Sequence, residues 1–367
     1  MTDYHRRENE FCCSSLYLFT HSSNLKTIER IGNIEQRKKD HIEYSVSGQA
    51  AYHKTAGFER YDFIHNALPE TDFDEISTEA EILGYQAGFP LFISSMTGGY
   101  TEAGQVNRII AGFCQQYRIP FGVGSQRIML ENPEAAESFS VVRKEAPNAF
   151  IASNIGGCQL IGDISGKTIK LLVDSIDADA VIVHLNPLQE LMQPEGDRNF
   201  KGVLHGIEHL VKQTQLPVIV KETGAGINGN TARKLLDCGV RVIDVSGAGG
   251  TSWSKIENFR RGVSGNALDE WGLPTVDCLL DLKDQKIPRE QIIASGGIKS
   301  ASDISKALCL GAGIAAMAQP VIQMIDEGGH ESLEAWYKQL DHQFKVMMCL
   351  LGCRHIDELG PHHLRKV

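Results

Sequence analysis

The sequence lacks any apolar run near the ~18 residues that a membrane span needs, so an ordinary transmembrane helix is not expected. It has no excess of positive charge: 36 Lys and Arg stand against 46 Asp and Glu, a formal net charge of −10. A general nucleic-acid or anionic-membrane surface is therefore not expected, although a small anionic substrate needs only a local group of cations. There is no CxxC pair, no internal repeat and no low-complexity tract. Nine cysteines, an odd number, are scattered along the chain and read as free thiols of a reducing compartment, hence a cytoplasmic protein. Cys349 and Cys353, four apart on an expected helix, read as two buried small residues rather than half a metal site. Near the N-terminus Arg6 and Arg7 precede a short stretch from Phe11 to Phe19. Glu8, Glu10 and the Cys-Cys-Ser-Ser break within it argue against a secretion signal.

What is present suffices for a large core, since 42% of the 367 residues are hydrophobic. Residues 1–36 carry little apolar periodicity and no motif, and read as an extension. Residues 37–89 form a polar arm, opening with RKKDHIEYSVSG, and a lead-in. From residue 90 to 367 a rhythm sets in. Short runs rich in Ile, Val and Ala end in polar residues or glycine, and each is followed by a helical segment. The runs are PLFISSMTGG (90–99), IPFGVGSQR (119–127), AFIASNIGG (149–157), DAVIVHLNP (179–187), LPVIVKETG (216–224), VRVIDVSGAGG (240–250), EQIIASGGI (290–298) and GIAAMAQP (313–320). Unbroken apolar strands separated by helices mean a parallel sheet covered on both faces, and eight such units predict an α/β fold of the closed (β/α)8 TIM-barrel type. One connection, residues 252–275, is long enough to be a binding loop.

The polar residues gather at the strand C-termini, where such barrels keep their active sites. They are Ser95 and Thr97, Ser125 and Arg127, Asn154, His184 and Asn186, Lys221, Asp244 and Ser246, and Thr251. The last two units, SGGIKS (295–300) and GAGIAAMAQP (311–320), suit a phosphate held by backbone N–H groups at helix N-termini. Lys221, in VIVKETG, could place a cation beside the electron-rich ring of a flavin, or act as a Schiff-base lysine. In HLNPLQE (184–190), Glu190 could serve as a general base or hold Mg²⁺ against substrate phosphates, for which one carboxylate suffices. Composition alone makes Arg37, Lys38, Lys39 and His41 a solvated charge run.

Together these pieces resemble the FMN-dependent, type 2 isopentenyl-diphosphate isomerases. The matching motifs are RKKDHIE, MTGG (96–99), GVGSQR (122–127), SNIGG (153–157), HLNPLQE, VKETG (220–224), DVSGAGGTSW (244–253), WGLPT (271–275) and SGGIKS. They run from about residue 37 to the C-terminus. The resemblance implies a 1,3-allylic proton shift between isopentenyl and dimethylallyl diphosphate, with reduced FMN, NADPH as reductant and Mg²⁺. It makes residues 37–89 a substrate-binding arm, and Ser95, Met96, Thr97, Ser125, Asn154, Lys221, Ser246 and Thr251 contacts of the flavin ring and ribityl chain. Gly297, Ile298, Lys299, Ala318 and Gln319 become the phosphate loops, although Gln319 stands where many relatives carry Arg. Arg37, Lys38 and Arg127 become a diphosphate clamp, with Gln189 beside the isoprenoid carbons, Glu190 on Mg²⁺, and His184 and Asn186 as substrate-side helpers. A homo-oligomer, tetramer or larger, is implied as well.

The alternative is another FMN-dependent TIM-barrel oxidoreductase. A 2-hydroxyacid oxidase needs a His base and an Arg near strand seven, where IIASGGI has neither. An enzyme like IMP dehydrogenase needs a nucleophilic Cys after strand six, where SGAGGTSW has none. A non-catalytic phosphate-binding barrel predicts a plain loop in place of HLNPLQE.

Overall fold

The computed structural model describes residues 36–162, 164–263 and 265–367. The expected extension, with Cys12, Cys13 and the Phe11–Phe19 stretch, lies outside the described residues, Gln36 excepted. Eight parallel strands close into a barrel in sequence order. They are β1 (Leu91–Ile93), β2 (Phe121–Gly122), β3 (Ile151–Gly156), β4 (Ala180–Leu185), β5 (Val218–Glu222), β6 (Val242–Asp244), β7 (Ile292–Ala294) and β8 (Ile314–Met317). Each falls within one of the eight apolar runs. The outer ring is α1 (Thr101–Tyr117), α2 (Glu137–Glu145), α3 (Gly166–Asp174), α4 (Val203–Gln213), α5 (Gly229–Asp237), α6 (Thr275–Asp284), α7 (Ala301–Cys309) and α8 (Gln319–Leu351).

Strand alternation explains the unbroken apolar runs. Ile151, Val181, Val183, Val218, Val220 and Ile243 face the helices and belong to the large outer core. Phe92, Ala152, Ile182, Ile219, Val242, Ile293 and Ala316 fill a second, inner core. Both faces are dry, so both are apolar. A hairpin, Ala80–Ile82 with Tyr85–Ala87, adds Ile82 to that inner core. The strand Tyr61–Phe63 pairs antiparallel with Leu364–Lys366, tying the lead-in to the C-terminal segment.

The long connection holds a helix of its own, Trp253–Arg260, whose Ser254, Ile256 and Glu257 are fully buried. One local reading changes. Cys349 and Cys353 do not share a helix, because α8 ends at Leu351 and Gly352 turns the chain at φ 75°. Among the described residues the cysteines are free, as expected. No helix among them is long and apolar enough to cross a membrane.

Candidate active site

Two residues beyond the inner core, the same inward face turns polar. It carries Asn154 on β3, His184 on β4, Lys221 on β5, Asp244 on β6 and Ser295 after β7. Except for Asp244, which lies behind, these line a cavity of about 270 Å³ at the C-terminal mouth of the barrel. Apart from Asp244, the residues expected in the site border this one cavity: the proposed flavin, phosphate-loop, diphosphate, substrate-side and metal residues alike.

The floor has defined hydrogen-bond directions. Asn154 Nδ2 donates to the Val123 carbonyl at 3.0 Å, which turns Oδ1 toward His184 Nδ1 at 2.8 Å. Burial, then the nearby charges of Lys221 and Arg127, push the His184 pKa down to about 3. His184 is thus a neutral ring that donates from Nδ1 and keeps its lone pair on Nε2. Lys221 is 7% exposed and donates from Nζ to the Glu222 carbonyl at 2.8 Å. Its burial pushes its pKa down, while Asp244 and Glu222 pull it up. The Ser95 hydroxyl is buried with no hydrogen-bond partner among the described residues, a group that a ligand would satisfy. Ser246 adopts φ 40°, and Thr251 bridges to Ala51 of the lead-in. Ser125, Met96 and Thr97 complete this side, with Thr97 Oγ1 3.4 Å from the Tyr100 hydroxyl.

At the phosphate end, Gly296 and Gly297 take φ 98° and 70°, and a Cβ on either would meet the backbone of Gly247 or Gly249. The N–H groups of Gly297 and Ile298 carry no bond within the protein among the described residues. At Lys299 the N–H is taken: Asp303 accepts it at 3.0 Å and also that of Ser300 at 3.1 Å, the latter part of a capping box at the start of α7. Only the Lys299 side chain remains for a ligand. Ala318 and Gln319 open α8, whose first N–H groups have no partner inside the helix. The Gln319 side chain donates to the Ser45 carbonyl of the arm at 2.7 Å. A free hydroxyl, a buried lysine and a glycine cradle with unbonded amides fit FMN.

The rim comes from the arm. Residues 36–46 are helical and lie across the mouth. Lys38 Nζ reaches the Gly98 carbonyl and, at 3.4 Å, that of Ser125. Arg37 pairs with Glu195 at 3.7 Å, and its burial lowers its pKa. Arg127 pairs with Glu131 and with Asp197, both at 3.6 Å. So three cations converge from the arm and the β2 unit. Sequence reasoning missed what seats the arm. His41 Nε2 is 2.9 Å from the fully buried Glu257, which also holds Arg260 at 2.5 Å. Burial lowers the His41 pKa against the pull of that carboxylate, so His41 acts as a neutral donor. Trp253 meets the His41 ring edge-on at 4.9 Å. Nothing in the sequence pairs these residues.

A short helix, Pro187–Met192, carries the β4 loop residues. Asn186 Nδ2 donates to Gln189 Oε1 at 3.1 Å and Glu190 Oε1 at 3.0 Å, and the Asp197 N–H donates to Glu190 Oε2 at 2.7 Å. No group of three His, Cys, Asp or Glu residues suited to a metal exists among the described residues. A single oriented carboxylate still fits Mg²⁺, which usually keeps water and substrate oxygens as its other ligands.

Fold and site together define a flavin-binding (β/α)8-barrel protein. The family model for FMN-dependent dehydrogenase matches residues 185–366. The chain is similar in fold to the recombinant flavin-binding domain of baker's yeast flavocytochrome b2, with TM-score 0.64 and 19% identity over 88% of this chain and 79% of that one. An oxidized active mutant of (S)-mandelate dehydrogenase gives TM-score 0.63 at 14% identity, over 91% and 99%. At those identities the likeness is one of fold. The sequence relatives are more specific. Isopentenyl-diphosphate delta-isomerase of Chlorobium chlorochromatii (strain CaD3) is 43% identical, covering 88% of this chain and 95% of its own. That of Nostoc sp. (strain PCC 7120) is 39% identical, covering 92% and 97%. The chain belongs to the isopentenyl-diphosphate delta-isomerase family.

Proposed function

We propose that this protein interconverts isopentenyl and dimethylallyl diphosphate with reduced FMN, using NADPH as reductant and Mg²⁺ on the substrate. The observation that carries this reading is one cavity with a flavin-type floor and a rim of three cations, Arg37, Lys38 and Arg127. Bound and reduced, FMN supplies an electron-rich face and a site for proton exchange next to the alkene. The chain does the rest. The three cations hold the diphosphate, and Glu190 holds the metal against it. Gln189 is the residue beside the isoprenoid carbons, Asn186 helps from the substrate side by holding it, and neutral His184 offers a lone pair without adding a charge that would oppose a developing cation. The arm and the Trp253–Arg260 helix keep water from the mouth.

The alternative, a hydride-transferring oxidoreductase of the 2-hydroxyacid oxidase or IMP dehydrogenase-like group, is less supported. The segment after β7, SGGIKS, offers neither the His base nor the Arg that an oxidase needs there, and the loop after β6, SGAGGTSW, holds no Cys. We place the protein in the cytoplasm as a homo-oligomer, tetramer or larger. The test is anaerobic incubation with isopentenyl diphosphate, FMN, NADPH and Mg²⁺. Dimethylallyl diphosphate should form only when the flavin is reduced, and no product under these conditions sinks the reading.

A further inference from the structure

Asp244 ends β6 on the inward face and is 3% exposed. It stands in register with Lys221 of β5. Its Oδ1 accepts from the Ser295 hydroxyl beyond β7 and from the Ser246 N–H at 3.3 Å. Ser246, at φ 40°, is held in the left-handed region that a residue with a Cβ adopts only when its surroundings impose it. One carboxylate therefore touches two groups that line the cavity and faces a third.

The groups around Lys221 narrow its counter-charge. From β4 comes His184, in register and neutral. From its own strand comes Glu222, whose Oε2 already accepts backbone N–H groups from Thr223, Gly224, Ala225 and Gly226. From beyond β7 comes Ser295, which has no charge. From β6 comes Asp244, whose side chain accepts from Ser295 and Ser246. A buried ammonium loses its proton unless a nearby anion favours the charged form.

We propose that Asp244 is a positioning residue of the flavin site: its carboxylate keeps Lys221 protonated inside the barrel and holds Ser246 and Ser295 in place. The proposal rests on reading Lys221 as the cation beside the flavin ring. Among the charges acting on Lys221, Asp244 is the largest that opposes the effect of burial.

The test is FMN affinity against pH, read by flavin fluorescence quenching between about pH 6 and pH 9. Wild type should bind with little change across this range. In D244N the lysine loses its counter-charge and deprotonates as pH rises, so the dissociation constant should climb about tenfold, the worth of one charge-assisted contact. Arginine does not deprotonate, so the double variant K221R/D244N should return to a flat profile. A simple structural role for Asp244 would weaken binding equally at every pH and would not be rescued. A flat D244N profile in folded protein overturns the proposal. Should D244N not fold, wild type is compared with K221R alone. The two profiles must then coincide, and an early loss of affinity in wild type overturns the idea. Failure of wild type to bind FMN at any pH overturns the flavin reading itself, and this proposal with it.

Discussion

Asn154 and His184 meet across β3 and β4, Oδ1 to Nδ1 at 2.8 Å, and the contact decides which nitrogen His184 turns to the cavity. The Asn154 amide is itself oriented by the Val123 carbonyl. His184 therefore works as an acceptor through Nε2, and a role as proton donor at neutral pH is closed to it.

A pH dependence follows. The folded-state pKa of His184 lies near 3, below the ordinary 6.5, so the unfolded chain binds the extra proton between these values. Its contribution to stability is present above about pH 6.5 and is lost as pH falls toward about 3. Relative to His184→Gln, wild type should lose up to ~1.4 kcal/mol per pH unit in that window. Urea midpoints of both proteins from about pH 4 to pH 7 measure it. A constant gap would mean that His184 titrates normally.

Glu190→Gln should raise the Mg²⁺ concentration needed for half-maximal activity while leaving the flavin spectrum unchanged. Two donors, Asn186 Nδ2 and the Asp197 N–H, face the carboxylate and an amide has one acceptor oxygen, so one donor is left unpaired and a stability loss of about 1–3 kcal/mol is expected. Loss of bound flavin instead would place the residue beside the cofactor rather than the metal.

Lys221→Ala should weaken FMN binding roughly tenfold or more and lower the potential of the bound flavin, because a buried cation is removed while Asp244 stays. Equilibrium binding and a reductive titration are the measurements. Wild-type values in both would exclude Lys221 from the ring.

Arg37→Ala should raise KM for the diphosphate substrate roughly ten- to a hundredfold, at about 1.4 kcal/mol per decade. The flavin spectrum and the melting temperature should barely change, since Arg37 packs on the rim and pairs at 3.7 Å with a half-exposed Glu195. Steady-state kinetics alongside a thermal melt separates the two effects. An unaltered KM would reduce the arm to a charged cover.

Much was legible before any coordinates. Parallel strands buried on both faces must be apolar throughout, so eight runs such as AVIVHL stood out without alternation. Where each run turns polar marks the mouth, which located His184 and Lys221 by their place at strand ends. The tertiary structure alone decided how distant segments meet. His41 and Glu257 are 216 residues apart, and only the packing of the arm against the Trp253–Arg260 helix makes a solvated charge run into a seated rim. Likewise the neutrality of His184 and the alignment of Lys221 beside Asp244 follow from burial and register across neighbouring strands. Local sequence encodes propensity and pattern, whereas desolvation and cross-strand charge exist only once the barrel has closed.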